Sequence, residues 1–418
     1  MTSARLLDDL LTDSVAPNRL RDVGWLREYL AAGSPAGDPI VLSLGEPWGG
    51  VPDGLLAALR DVPGHAHGYQ MSMYGLPRLR RSLRDYVART QGLPSDGRWE
   101  LAVGWTGTRS AMCDFARHLA GAGHRPGGTV LVLGPSWDYA GVFAPYGYRV
   151  EHLDCLGADG FAVDEAAIRA WRPADGGDVA VVVVNAQHNP SGHDLAPGVC
   201  RALLELALDA SAAILVDDAY FGVSDASPPT SASALLHELL GEADPPAPWL
   251  AVRSLGKQFH CNGWALGAVL AEPAFLDEFV NVTRTHHTYN HGVLLQWAMA
   301  DWLADTGGVE AFLRAEREAC RAKREYVVGR LRAAGVPDRR IVTGPAAPYL
   351  SFPVPEGDHG HARRCVLEAG VVLSEMWPLA RVAERDDSGY LRLFLGPERA
   401  VLAEALDRLD GAGLTTSG

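Results

Sequence analysis

Short apolar runs alternate with helix-like stretches through the middle of the chain. The runs are Thr129 to Leu133, Val179 to Val184, Ala212 to Val216, Leu250 to Val252 and Ala268 to Leu270. They lack polar alternation and are closed by residues such as Gly134, Asn185 and Asp217, the pattern of strands covered on both faces. Between them, stretches such as Gly198 to Ala210 carry leucines at helical spacing. This alternation predicts an α/β fold with a mostly parallel sheet flanked by helices. In such sheets ligands bind beyond the carboxyl ends of the strands.

The flanks read differently. Before Ser43 the chain has leucine-rich, charged helical patterns broken by Pro17 and by Gly33-Ser34-Pro35. After a helical region from Leu294 to Ala334, strand candidates appear at Tyr349 to Phe352 and Tyr390 to Phe394. We expect a large domain over residues 46–300, and a smaller α/β domain over 301–418 that the N-terminal segment 1–45 joins. Residues 413–418 are expected to fray.

Composition narrows the class. The 418 residues are 47% hydrophobic, enough for a large core. A net charge of -14 argues against nucleic-acid or membrane-surface partners, which favour basic patches. The N-terminus lacks an apolar signal segment, and no run approaches the roughly 20 apolar residues that span a bilayer. The six cysteines are scattered without C-x-x-C spacing. Reduced thiols in a cytoplasmic enzyme or binding protein are the expectation.

Candidate chemistry collects where the polar residues interrupt the apolar runs. Lys257 follows Ala251-Val252-Arg253-Ser254-Leu255-Gly256, and upstream lie Asn189-Pro190-Ser191-Gly192 and Asp217-Asp218-Ala219-Tyr220. A lysine after a buried strand, preceded in that order, suggests an amine meant to bond a carbonyl cofactor. Asp217 closes a Val/Leu/Ile run where an unpaired carboxylate would be costly to bury; Asp218 competes for the same part. The Asn189 tetrapeptide also suits an ordinary turn. Gly107-Thr108-Arg109 precedes a helical pattern of Ala111, Phe115 and Leu119, so its N–H groups could face a phosphate. Arg392, inside Tyr390-Leu391-Arg392-Leu393, needs an anionic partner, and its planar fork suits a carboxylate.

In this order Gly107-Thr108-Arg109, Trp137, Asn189-Pro190-Ser191-Gly192, Asp217-x-x-Tyr220, Ser254-x-x-Lys257 and Arg392 resemble the class I/II aminotransferases, which are fold-type I pyridoxal phosphate enzymes. The resemblance covers roughly Leu42 to Leu395. It implies a seven-stranded, mostly parallel sheet in the large domain, and pyridoxal 5'-phosphate as cofactor. Lys257 would then form the Schiff base with the cofactor aldehyde and shuttle a proton at the substrate α-carbon. Asp217 would pair with the pyridine nitrogen, while Tyr220 and Asn189 would donate to the phenolic oxygen. Gly107, Thr108 and Ser254 would hold the phosphate, and Trp137 would stack on the ring, with Tyr139 as its substitute. Arg392 would clamp the substrate α-carboxylate, with Gly45 and Asn189 nearby. Tyr69, in His67-Gly68-Tyr69-Gln70, resembles the tyrosine that reaches a neighbouring subunit's phosphate in a homodimer with shared active sites; its count to Gly75 is one residue longer than in many relatives. Trp48, His286, His287, Tyr289, Asn290 and His291 fall where the family places substrate-facing or cross-subunit residues.

One departure stands out. Most relatives carry an arginine eight residues after the lysine, and here that position is Ala265. We expect Arg109 to supply the missing phosphate charge, with Arg253 and His260 as weaker candidates. The reaction expected is amino transfer from an α-amino acid to a 2-oxo acid. The alternative is a lyase, cyclase, replacement enzyme or amino-acid oxidase of natural-product biosynthesis working through the same lysine. Ser254-x-x-Lys257 also matches the serine β-lactam motif, but the Ser-Asp-Asn and Lys-Thr-Gly partners are missing. His287 and His291 could share a helix face, yet no H-E-x-x-H pattern or cysteine pair accompanies them, so no metal is expected. No basic DNA-binding module is present.

Overall fold

The computed structural model describes residues 21–43, 45, 50–157, 159–241, 245–355, 357–376 and 388–415. The first strand, β1 (Ile40–Val41), precedes a seven-stranded sheet. That sheet contains β2 (Glu100–Gly104), β3 (Thr129–Gly134), β4 (Arg149–Asp154), β5 (Val179–Val184), β6 (Ala213–Asp217), β7 (Trp249–Ser254) and β8 (Gly267–Ala271). Their spatial order is β2-β8-β7-β6-β5-β3-β4. Only β8 runs against its neighbours; the other pairings are parallel. The expected sheet is therefore present, mixed through this one reversed strand.

The strands that read as pure apolar runs are the interior ones, because both of their faces are covered. In β5, Val182 and Val184 enter one core while Val181 and Val183 enter the other. The edge strand β4 (Arg-Val-Glu-His-Leu-Asp) is half-exposed throughout, and its charges blunt an edge that could otherwise pair with another chain.

Helices α1 (Arg21–Ala31), α2 (Thr108–Gly121), α3 (Pro197–Asp209), α4 (Leu255–Gln258), α5 (Val293–Ala304), α6 (Thr306–Ala333) and α7 (Asp358–Ala369) flank the sheets. The helical region expected from Leu294 to Ala334 is two helices. Asp305 ends the first and caps the second, accepting from the Gly308 N–H at 3.0 Å. Gly307 and Gly308 weaken helical continuity there, so the cap wins. Helix α6 then bridges two cores: Val309 and Leu313 pack with the large sheet, Val327 and Leu331 with the second core.

That second core surrounds β9 (Val342–Thr343), β10 (Tyr349–Pro353), β11 (Val371–Val372), β12 (Ser374–Glu375) and β13 (Tyr390–Phe394). Four of them form an antiparallel sheet in the order β9-β10-β13-β12. The fifth, β11, pairs in parallel with β1. Leu26 and Tyr29 of α1 pack with Val366 of α7, which carries the N-terminal stretch onto the C-terminal part of the chain. Among the described residues no helix is long and apolar enough to cross a membrane, and no disulfide joins any of the six cysteines.

Candidate active site

The parallel strands β5, β6 and β7 end side by side. Asn185, Asp217 and Ser254 at those ends line a cavity of about 250 Å³, together with Lys257. Consecutive strand residues face opposite sides of a sheet, and this separates the neighbours that sequence reading left in competition. Asp217 faces the cavity. Asp218 turns to the back of the sheet, where its Oδ2 accepts from Gln91 Nε2 at 2.5 Å and from Ser233 Oγ at 2.8 Å. Ser254 faces the cavity likewise, while Arg253 is buried behind it, donating to Thr90 Oγ1 at 2.6 Å and Tyr86 Oη at 3.1 Å.

Asp217 is buried and accepts from Tyr139 Oη at 2.8 Å through Oδ2, and from the Ala219 N–H at 3.1 Å through Oδ1. Burial raises its carboxyl above the usual range; the Tyr139 and Ala219 donors and the Lys257 charge act against that rise. Tyr139 is pushed well above an ordinary phenol, first by burial and then by the Asp217 charge. Sequence reading weighed Tyr139 only as a stacking partner, and the structure gives it this second part. Asn185 was missed as well. Its Nδ2 donates to the Asp217 carbonyl at 2.7 Å, and its Oδ1 accepts from the Asn189 N–H at 3.0 Å, which locks two strand ends together. An asparagine closing the Val179–Val184 run was the available signal.

Lys257 sits on the short helix α4, whose start is capped by Ser254: the Lys257 N–H donates to Ser254 Oγ at 3.3 Å. Its Nζ lies 4.9 Å from the Tyr220 ring centroid. Helix α2 begins at the same cavity. Gly107 precedes it at φ +83°, a conformation that favours glycine, and Gly107, Thr108, Arg109 and Met112 line the wall. The helix N-terminus therefore offers N–H groups and a positive dipole end to an anion. Trp137 lines the cavity too, its N–H bonded to the Asn189 carbonyl at 3.1 Å.

Arg109 lies over the Trp137 ring at 4.9 Å and pairs with Asp138 at 2.6 Å. Ala265 lines the cavity close to Gly107, so a methyl group stands where a basic side chain would be. The two weaker candidates for the missing charge do not reach this wall. Arg253 is on the back of the sheet, and His260 lies 3.4 Å from Glu316 with its ring against Phe312.

Arg392 comes from β13 of the second sheet. It donates to Asn189 Oδ1 at 2.8 Å and to the Ser43 carbonyl at 3.0 Å. With Oδ1 committed to Arg392, the donors of the Asn189 amide are what it presents to the cavity. Tyr349 of β10 was not singled out from the sequence. Its hydroxyl lies 2.7 Å from that of Tyr220, and a Cβ at Gly45 would collide with it.

Tyr69 does not reach this cavity; it is 82% exposed, beside Met71 at 93%. His287 lies 3.5 Å from Asp114 and 3.0 Å from Arg117, while His291 bonds within its own loop, so the two rings do not converge. Asn290 is buried and donates to the Ser72 carbonyl at 3.0 Å, joining the Tyr289 loop to the Tyr69 loop. Trp48 lies outside the described residues.

Comparison with known proteins shows what the chain is similar to. The family described as aminotransferase class I and II matches residues 38–409. The chain is 26% identical over 386 residues to the aspartate/prephenate aminotransferase of Thermus thermophilus, covering 89% of this chain and 90% of that protein. It is 27% identical over 382 residues to the LL-diaminopimelate aminotransferase of Desulforudis audaxviator, covering 90% of each. A solved Thermus thermophilus aspartate aminotransferase with maleate superposes with a TM-score of 0.76 at 23% identity, over 96% of this chain and 98% of that one. The shared architecture is the fold-type I arrangement.

Proposed function

Because the chain belongs to the aminotransferase class I and II family, we propose that it binds pyridoxal 5'-phosphate at Lys257 and transfers the amino group of an α-amino acid to a 2-oxo acid. The residues present fit that cofactor. Asp217 is a buried carboxylate whose hydrogen bonds come from neutral donors, which suits a cationic ring nitrogen. The start of α2 suits a phosphate, and the Trp137 face suits a planar ring.

When bound, the cofactor supplies a carbonyl for the substrate amine and an electron-withdrawing ring. Every other part falls to the chain. Lys257 would hold the cofactor through its amine and, once released by the substrate amine, would carry the proton at the substrate α-carbon. Asp217 would keep a proton on the ring nitrogen. Tyr220 and the Asn189 amide would donate to the phenolic oxygen, and Ser254, Gly107 and Thr108 would hold the phosphate, with Arg109 adding charge. Arg392 takes the α-carboxylate. Its buried Nε has no hydrogen-bond partner among the described residues, so the guanidinium retains a donor for an anion.

The observation that carries this reading is the convergence of Lys257, Asp217 and Asn189 on one cavity, with Arg392 bonded to the Asn189 side chain. Exposed Tyr69, Met71 and Tyr289 lie on loops joined through Asn290. We read them as the face covered by a second copy, with Tyr69 reaching the partner's phosphate site. Six cysteines without a disulfide suit a reducing, cytoplasmic setting.

A half-reaction tests the function. Enzyme loaded with pyridoxal 5'-phosphate and mixed with one amino acid, without acceptor, should release one equivalent of 2-oxo acid per site and no ammonia. Continuous release of ammonia, or loss of a β-substituent with the cofactor unchanged, sinks the transfer reading. Borohydride reduction and peptide mapping should place the cofactor on Lys257 alone.

A further inference from the structure

We propose that Tyr349 is a positioning residue that ties the guanidinium of Arg392 to the hydroxyl of Tyr220, so that one phenol ring holds both ends of the site. The inference rests on the proposed function above and adds a residue to it.

Tyr349 opens β10 and is buried opposite Phe394 of β13, the strand that carries Arg392. The Arg392 guanidinium carbon lies 4.2 Å from the centre of the Tyr349 ring, a cation–π stack shielded from water. The same ring meets Tyr220 edge to face, with centroids 5.7 Å apart and planes at 80°. The two hydroxyls are 2.7 Å apart. Phe394 packs against the ring with centroids 5.8 Å apart, and the missing side chain of Gly45 leaves room for the Tyr349 hydroxyl. The ring has little freedom to leave.

A phenol carries one hydrogen. If Tyr220 gives its hydrogen to the cofactor's phenolic oxygen, the bond between the two tyrosines must run from Tyr349 to Tyr220. Donation into the Tyr220 oxygen polarises its O–H and strengthens what it gives onward. The other charged or titratable groups facing Tyr220 are Lys257, Asp217, Arg392 and Tyr139. Tyr220 is held well above an ordinary phenol, first by burial and next by Tyr349, so it stays a donor at neutral pH. Tyr349 thus acts on the reaction through two other residues: it fixes the angle at which Arg392 meets a carboxylate, and it tunes the donor at the phenolic oxygen.

Two variants of the full chain, loaded with pyridoxal 5'-phosphate, test this. Tyr349→Phe keeps the ring and removes the hydroxyl. The midpoint of the pH-dependent absorbance of the bound cofactor should rise by about one pH unit, the scale of one hydrogen bond to a charged group. Binding of an amine-free carboxylate such as 3-phenylpropanoate should stay near wild type. Tyr349→Leu removes the stack, and that carboxylate should bind roughly tenfold more weakly. A Tyr349→Phe midpoint equal to wild type overturns the inference, as does a Leu variant that binds carboxylate normally. If the Leu variant does not fold, the Phe titration decides alone. Should wild-type protein form no borohydride-reducible bond at Lys257, the proposed function fails first and takes this inference with it.

Discussion

Asp217 and Asp218 are consecutive residues that face opposite sides of the large sheet, one toward the cavity and one toward Gln91 and Ser233. On the proposed function, the pair separates cofactor chemistry from fold stability. Asp217→Asn should lower kcat/KM by roughly 10²–10³, because a preorganised charge is lost at the reacting ring. Asp218→Asn should leave cofactor affinity within a few-fold of wild type. Parallel measurement of kinetics and cofactor dissociation checks both.

The same residue makes stability depend on pH in a distinctive direction. Burial pushes the Asp218 carboxyl up to about 6, above the value of about 4 of an unfolded chain. Between those values the folded protein holds the proton more tightly than the unfolded chain. Stability from this group is therefore greatest at low pH, falls as pH rises through the window, and is level above it. Relative to Asp218→Asn, the cofactor-free wild type should lose on the order of 2–3 kcal/mol between about pH 4 and pH 7. Denaturant titrations at a series of pH values read the difference, and a wild type that gains stability over Asp218→Asn as pH rises from about 4 to 7 would refute it.

Tyr139→Phe tests the donor behind Asp217. Without the 2.8 Å bond the carboxylate loses one of its two hydrogen-bond donors, and its pKa rises further. Affinity for pyridoxal 5'-phosphate should fall roughly tenfold or more, the range for a hydrogen bond to a charged group. Equilibrium dialysis of Tyr139→Phe against wild type measures it.

Arg392→Lys tests the carboxylate clamp. A lysine keeps the charge but cannot hold Asn189 Oδ1, the Ser43 carbonyl and a carboxylate with one planar fork. We expect kcat/KM for α-amino acids to drop roughly 10- to 100-fold, with binding of the cofactor little changed. Equal losses for an α-amino acid and for the matching amine without a carboxylate would refute the assignment.

These residues differ in how legible they were in the sequence, and the reason is physical. Strands β3, β5, β6, β7 and β8 could be read because burial on both faces forces unbroken apolar runs. The edge strand β4 mixes charge into its pattern and could not, nor could β2, which stands at the other edge. Asp217, Ser254 and Lys257 announce themselves where polar residues close such runs. Tyr139 and Tyr349 do not, since their parts depend on partners 78 and 129 residues away. Nothing local distinguishes those phenols from core tyrosines.

Arg109 offers the sharpest test of how this chain manages without an arginine at position 265. Its guanidinium is at the cavity wall but shared with Asp138, only 2.6 Å away. A phosphate at the start of α2 would compete with that carboxylate for the same donors, so the two substitutions should act in opposite directions. Arg109→Ala should weaken pyridoxal 5'-phosphate binding roughly tenfold. Asp138→Asn, which frees the guanidinium and removes a negative charge near the phosphate, should tighten it several-fold. In the double variant the gain from Asp138→Asn should shrink, because the arginine it releases is gone, and a double-mutant cycle isolates that coupling. The partly exposed position adds a salt dependence: raising ionic strength should reduce the Asp138→Asn gain. If cofactor affinity is indifferent to Arg109, the helix N-terminus with Thr108 and Ser254 carries the phosphate unaided, and the arginine serves only to brace Trp137.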